Sequence, residues 1–111
     1  MAAFVDTVAD GAEAYEGFCG LADGTRTFED PADTYWVLGD VSGPVRLLRQ
    51  VLDQLSHAYA GHRSIAFTDD RIPAVALVLT TADELHHAAD GLDEVGDRVT
   101  RTHEASGRIT W

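Results

Sequence analysis

Residues 77–104 read LVLTTADELHHAADGLDEVGDRVTRTHE. In this stretch the same kinds of side chain return every seven residues, which corresponds to two turns of an α-helix. Three rows follow this repeat: the apolar residues Leu85, Leu92 and Val99, the small residues Ala82, Ala89 and Gly96, and the acidic residues Asp83, Asp90, Asp97 and Glu104. The repeat predicts one long helix with an apolar seam, a row that permits close packing, and an acidic flank.

The ends of this long helix are marked by residues that favour helix termini. Asp70 and Pro73 suit the N-terminal cap and first turn, because a carboxylate accepts unpaired amide protons and proline has the φ angle of a helix. Arg98 and Arg101 lie near the other end, where cations interact favourably with the helix dipole. We therefore expect the helix to extend from Asp70 to about Ala105.

A second long helix is predicted from about Pro31 to Ala60. It starts after Asp30 and ends at Gly61, which are residue types typical of helix starts and helix ends. Apolar residues keep their spacings of three and four across Pro44, which favours one helix with a kink at the proline. Two helices joined by a turn, with Ser42 as the second cap, are the alternative.

A shorter amphipathic helix is predicted from Ala2 to Phe18, where Phe4 and Val8 contribute to its apolar side, and a loop is expected from Gly20 to Glu29. The predicted fold class is therefore all-α. It consists of an antiparallel hairpin of two long helices plus a short N-terminal helix, in a single domain of residues 1–111.

A dimeric helical bundle is predicted as well. An isolated two-helix hairpin rarely buries enough apolar surface to offset its chain entropy, so we expect a homodimer with two-fold symmetry. The seam residues that would pack within the hairpin or against a second copy belong to the apolar and small rows: Ala82, Leu85, Ala89, Leu92, Gly96 and Val99.

The composition is strongly acidic, with 19 Asp and Glu residues, eight Arg, no Lys and a formal net charge of −11. This charge argues against direct binding of nucleic acid or an anionic membrane, because phosphate binding requires clustered cations. A GC-rich genome or a saline cytoplasm would also produce an acidic composition. No basic leader or long apolar run is evident, so we expect a cytoplasmic protein without a membrane span.

The acidic residues of the long helix are the predicted partner-binding site: Asp83, Asp90, Asp93, Asp97 and Glu104. Their carboxylates recur about every 10 Å along one helix, an arrangement that can meet a basic protein surface in the manner of proteins that imitate DNA. An ordinary solvated face is the alternative. Arg46 and Arg49 are expected opposite the Asp83–Asp90 segment and would neutralise part of it.

A metal site in a ferritin-like bundle is the alternative function. Glu84 and His87 have the Glu-x-x-His spacing of di-metal sites, which also require Glu residues from facing helices. The facing segment contains no Glu. Only Asp53 and His57 could substitute, and a dimer would have to bring the two pairs together.

Catalytic residues are not predicted. Cys19 cannot form an internal disulfide, because it is the single cysteine, and its position suits a buried small side chain better than an activated thiolate. No glycine-rich phosphate-binding loop is recognisable. We therefore expect a non-enzymatic, acidic binding or regulatory protein that acts through protein contacts, with no cofactor and no bound metal.

Overall fold

The computed structural model describes residues 6–111, and this part of the chain is all-helical. Its elements are α1 (Thr7–Gly24), α2 (Asp33–Gly61), a single 3₁₀ turn (Arg63–Ile65) and α3 (Val75–Ser106). The predicted all-α class is confirmed. Among residues 6–111, no helix combines the length and apolarity needed to cross a membrane.

The chain divides into two compact units, Met1–Asp33 and Thr34–Trp111. The first contains α1, and the second contains nearly all of α2 together with the 3₁₀ turn and α3. The prediction of one domain over residues 1–111 stays a prediction.

Helix α1 is displaced towards the C-terminus from its predicted position. It begins after Asp6, whose carboxylate accepts a hydrogen bond from the Ala9 amide at 3.0 Å, while the predicted start at Ala2 and the apolar Phe4 lie outside the described residues. The predicted loop from Gly20 is wrong over its first five residues, because α1 continues to Gly24. A glycine costs a helix only about 1 kcal/mol, and Leu21 and Ala22 favour continuation.

Helix α2 begins at Asp33, later than predicted. Asp30 accepts hydrogen bonds from the Ala32 and Asp33 amides, at its side chain and its carbonyl respectively, and so forms a turn before the helix. The helix then continues through Pro44 to Gly61, so the two-helix alternative with a cap at Ser42 is wrong. Packing of both halves against α3 outweighs the hydrogen bond that proline removes. The kink at Pro44 stays a prediction.

The start predicted for α3 at Asp70 is also wrong, because residues 67–73 form a tight turn. The Arg71 amide donates to Thr68 O at 2.8 Å, and Arg71 has a left-handed φ of 61°. Phe67 and Pro73 form an isolated bridge. Helix α3 therefore begins only at Val75 and ends at Ser106, one residue beyond the predicted end.

Helices α2 and α3 pack closely along their length. A β-carbon built on Gly39 would lie 2.9 Å from His103 Nε2, one on Gly96 would lie 3.6 Å from Val45 Cγ1, and Ser56 Oγ donates to the Ala82 carbonyl at 2.6 Å. Residue numbers thus rise along α2 as they fall along α3. Within residues 6–111 the buried apolar side chains are all alanines: Ala74, Ala82 and Ala89.

Candidate functional site

The row of small residues on α3 lies directly beneath α2. Ala82 and Ala89 are only 6% and 0% exposed, and Gly96 is also buried. Val45 and Ser56 of α2 in the same chain contact this row at Gly96 and Ala82, and the role of the row as a seam stays a prediction. The small size of its residues lets the two helix backbones approach closely.

An apolar face follows one side of this seam. Leu85, Leu92 and Val99 lie half-buried beside the small row. Successive residues of a helix are rotated by about 100°, which places further apolar residues on the same side as this row. We define the apolar face by its exposed members: Leu48, Val51, Leu55 and Tyr59 on α2, with Leu77 and Val95 on α3.

A charged face lies on the other side of the seam. Arg49 forms ion pairs with Asp93, at 3.0 Å from Nε to Oδ1, and with Asp90, at 3.9 Å from Nη2. Arg49 Nε is buried, and its N–H group is not oriented for a hydrogen bond to Asp93. The expected position of Arg49 near Asp90 is therefore observed. Arg46 instead donates to Thr100 Oγ1 at 3.2 Å. The expected position of Arg46 opposite Asp83–Asp90 is wrong. Because α2 and α3 run in opposite directions, Arg46 precedes Arg49 on α2 and therefore lies opposite a later residue of α3.

Histidines pair with carboxylates on this charged face. His86 lies between Asp53 and Asp90, with its ring nitrogens 3.5 Å and 3.6 Å from the two carboxylates. His87 lies 3.3 Å from Asp83 on the same helix. Among residues 6–111, no group of three or more side chains is arranged to hold a metal ion. Glu84 and His87 therefore do not belong to a metal site formed within the described part of one chain.

The five predicted partner-binding carboxylates differ in their surroundings, although all five are exposed. Asp83 faces His87, and Asp90 and Asp93 face Arg49. Asp97 and Glu104 form no ion pair within the part of the chain that the structure describes. The acidic row is thus partly neutralised at one end of α3 and unpaired towards the other.

An apolar cavity of about 420 Å³ was not predicted. It opens beside the 3₁₀ turn, at the end of the apolar face, and its lining residues are Leu55, Ala58, Tyr59, His62, Ile65, Ala66 and Val78. Three of these residues belong to the connection between the long helices, which has no hydrophobic periodicity. No pattern in the sequence therefore signalled that this connection folds against both helices.

The predicted burial of Cys19 is wrong. Cys19 is exposed on α1, because that helix buries no residue in the described part of the chain. Beyond α3, the apolar residues Ile109 and Trp111 are 53% and 69% exposed.

The second unit therefore has two dissimilar sides, one apolar and one charged, on the same pair of helices. Neither a protein-family model, nor a curated protein sequence, nor a solved structure matches this chain.

Proposed function

We propose that this chain is a non-enzymatic protein-binding scaffold that works as a homodimer. In this proposal α2 and α3 form an antiparallel hairpin, and two hairpins join through their apolar faces into a four-helix bundle. The charged faces remain outside, where their carboxylates bind a basic surface of a partner protein. The observation that carries the proposal is that most exposed apolar side chains of α2 and α3 lie on one side of the seam and the ion pairs between these helices lie on the other.

The apolar face supports the homodimer through its exposed side chains. On α3 it runs from Leu77 to Val95, about 27 Å at 1.5 Å per residue, and with about 9 Å between helix axes it is roughly 18 Å wide, which gives about 500 Å². The interface would therefore be smaller than the ~800 Å² per partner of a standard protein interface. Because only alanines are buried among the apolar residues of the described chain, pairing of two copies would supply the core that one copy lacks.

The distribution of charge supports the same arrangement. Two copies with a net charge of −11 each repel one another, but the five predicted partner-binding carboxylates of α3 lie on the side of the seam away from the apolar face. Joining the apolar faces keeps these carboxylates apart and exposes two acidic rows on the dimer surface. A row of this kind attracts basic partners and disfavours acidic ones.

The test of partner binding replaces the acidic row by amides. Asp83→Asn, Asp90→Asn and Asp97→Asn are combined in one variant, and Asp10→Asn, Glu13→Gln and Glu16→Gln in a control that changes the same net charge on α1. Captured proteins from the native host are identified for both variants and the wild type. We expect a specific partner that the first variant loses and the control retains, with capture weakening as salt is raised.

Equal capture by both variants, or capture that does not respond to salt, would contradict the assignment of the acidic row. Circular dichroism of each variant verifies that the helices are intact. Because the three aspartates are exposed, we expect the helix content to be unchanged.

A further inference from the structure

We propose that the apolar cavity beside the 3₁₀ turn binds the segment that follows α3, residues 107–111, of a second copy of this chain, with Trp111 entering the cavity. We call this segment the tail. The inference rests on the homodimer proposed above and specifies its geometry. Two copies would exchange tails, so each cavity would be completed by a residue from the other copy.

The cavity has the properties of a site for one aromatic side chain. Leu55, Tyr59, Ala66 and Val78 give it apolar walls, and its volume of about 420 Å³ falls within the range of sites that enclose small apolar groups. Its rim carries Ile65, which is 71% exposed although it is apolar. Filling the cavity would remove this surface from water as well as that of the entering side chain.

The tail has the matching properties. Trp111 and Ile109 are exposed, and both lie beyond the end of α3 at Ser106. The Arg108 and Ile109 amides donate to Ala105 O and Ser106 O at 3.1 Å each, so the tail continues as a turn as far as Ile109. Tryptophan is among the most effective anchors at protein interfaces, since it combines a large apolar area with an N–H group.

The tail cannot reach the cavity of its own chain. Val78 and Ser106 are separated by 28 residues of α3, or about 42 Å of helix. The five tail residues span at most about 18 Å even when fully extended. The tail and the cavity therefore lie at opposite ends of the helix pair, and a single copy cannot join them.

A second copy can join them in one arrangement. If the two-fold axis is perpendicular to the helices, the tail end of each pair lies beside the cavity end of the other. The interface is then self-complementary, with two identical contacts between a tail and a cavity. An axis parallel to the helices would instead place the two tails together.

Cross-linking between two variants distinguishes these arrangements. Both variants carry Cys19→Ser, which removes the exposed native thiol. One variant adds Thr110→Cys and the other adds Ala66→Cys at the cavity, and the two are mixed under mild oxidation. We expect a disulfide-linked heterodimer from this mixture. The matched control uses Gln54→Cys, which lies on an exposed side of α2 near the same end, and is expected to cross-link poorly.

Disulfide formation between two Thr110→Cys copies, or equal cross-linking of Ala66→Cys and Gln54→Cys, would overturn the inference. If the protein is a dimer by light scattering yet shows either result, the tail site is wrong and the proposed homodimer stands. If the protein is monomeric, both proposals are wrong.

Fluorescence of Trp111 gives a second, independent readout. Trp36→Phe leaves Trp111 as the single tryptophan, because the chain contains two. We expect blue-shifted emission in the dimer, a shift to the red on dilution, and the same red shift when Ala66→Arg fills the cavity. Trp111→Ala is expected to weaken dimerisation at least about tenfold. Emission typical of exposed tryptophan at every concentration would overturn the inference.

Discussion

At the scale of single residues, the close approach of α2 and α3 depends on positions where a side chain is small or absent. Gly39 is the clearest case. The His103 ring lies 2.9 Å from the position that a β-carbon of residue 39 would occupy, and this ring stacks on Tyr35 with 4.4 Å between ring centroids. Glycine at position 39 therefore leaves room for the stacked pair of Tyr35 and His103, which packs the end of α3 against the start of α2.

Gly39→Ala is expected to be less favourable than its helix propensity suggests. Alanine stabilises a helix by about 1 kcal/mol relative to glycine, but its β-carbon would be 2.9 Å from His103 Nε2 and would displace the stacked ring. Gly91→Ala is the matched control, because a β-carbon there meets nothing within 4 Å. Thermal or urea unfolding of both variants measures the difference.

We expect Gly91→Ala to raise the free energy of unfolding by about 0.5–1 kcal/mol. Gly39→Ala should show no gain or a loss, since a stacked aromatic pair contributes about 0.5–1.5 kcal/mol. Equal stabilisation by both substitutions would show that His103 does not depend on the absence of a side chain at position 39.

At the scale of helices, α2 and α3 begin later than predicted because residues that favour turns form separate structure in front of them. Asp30 was predicted as a cap of α2, but it forms a separate turn in front of the helix. Pro73 was predicted in the first turn of α3, but it pairs with Phe67. Aspartate and proline favour turns as well as helix starts, so the residue types alone do not distinguish the two outcomes.

Pro44 tests how strongly packing maintains α2. The proline lies in the interior of a continuous helix, where it removes a backbone hydrogen bond and crowds the preceding turn. We expect Pro44→Ala to raise the free energy of unfolding by about 1–3 kcal/mol. In Pro44→Gly the gain should be about 1 kcal/mol smaller, because the ring is removed without the helix propensity of alanine.

Unfolding in urea and helix content by circular dichroism measure both Pro44 variants. A loss of stability in Pro44→Ala would mean that the ring itself makes contacts that outweigh the missing hydrogen bond. If Pro44→Ala and Pro44→Gly raise the free energy of unfolding equally, helix propensity at this position has no effect.

At the scale of the whole molecule, repeating features could be predicted from the sequence and non-repeating ones could not. The seven-residue rows of residues 77–104 predicted a long helix, and helix α3 extends over all of that stretch. The continuity of α2 across Pro44 followed from unbroken apolar spacing. In contrast, the cavity depends on how residues 62–74 fold against both helices, and this contact between distant residues leaves no local pattern.

The candidate site was predictable only in part, for the same reason. The rows identified Asp97 and Glu104 as exposed carboxylates, and they also contained the small residues of the seam. Whether α2 or a second copy packs on these small residues depends on the relative rotation of α2 and α3. The structure shows that α2 contacts the small row within the chain, so we expect a second copy to meet the larger apolar residues beside it.

The central claim is that the apolar face joins two copies, and the molar mass in solution tests it most directly. Light scattering of the wild type should give twice the mass of the chain. Leu48→Glu combined with Val51→Glu, both on the exposed apolar face, should give the mass of one chain with retained helix content. Gln50→Glu combined with Gln54→Glu adds the same charge to exposed positions of the same helix and should leave the dimer intact. A wild type with the mass of a single chain would contradict the account, and so would a dimer that both pairs of substitutions affect equally.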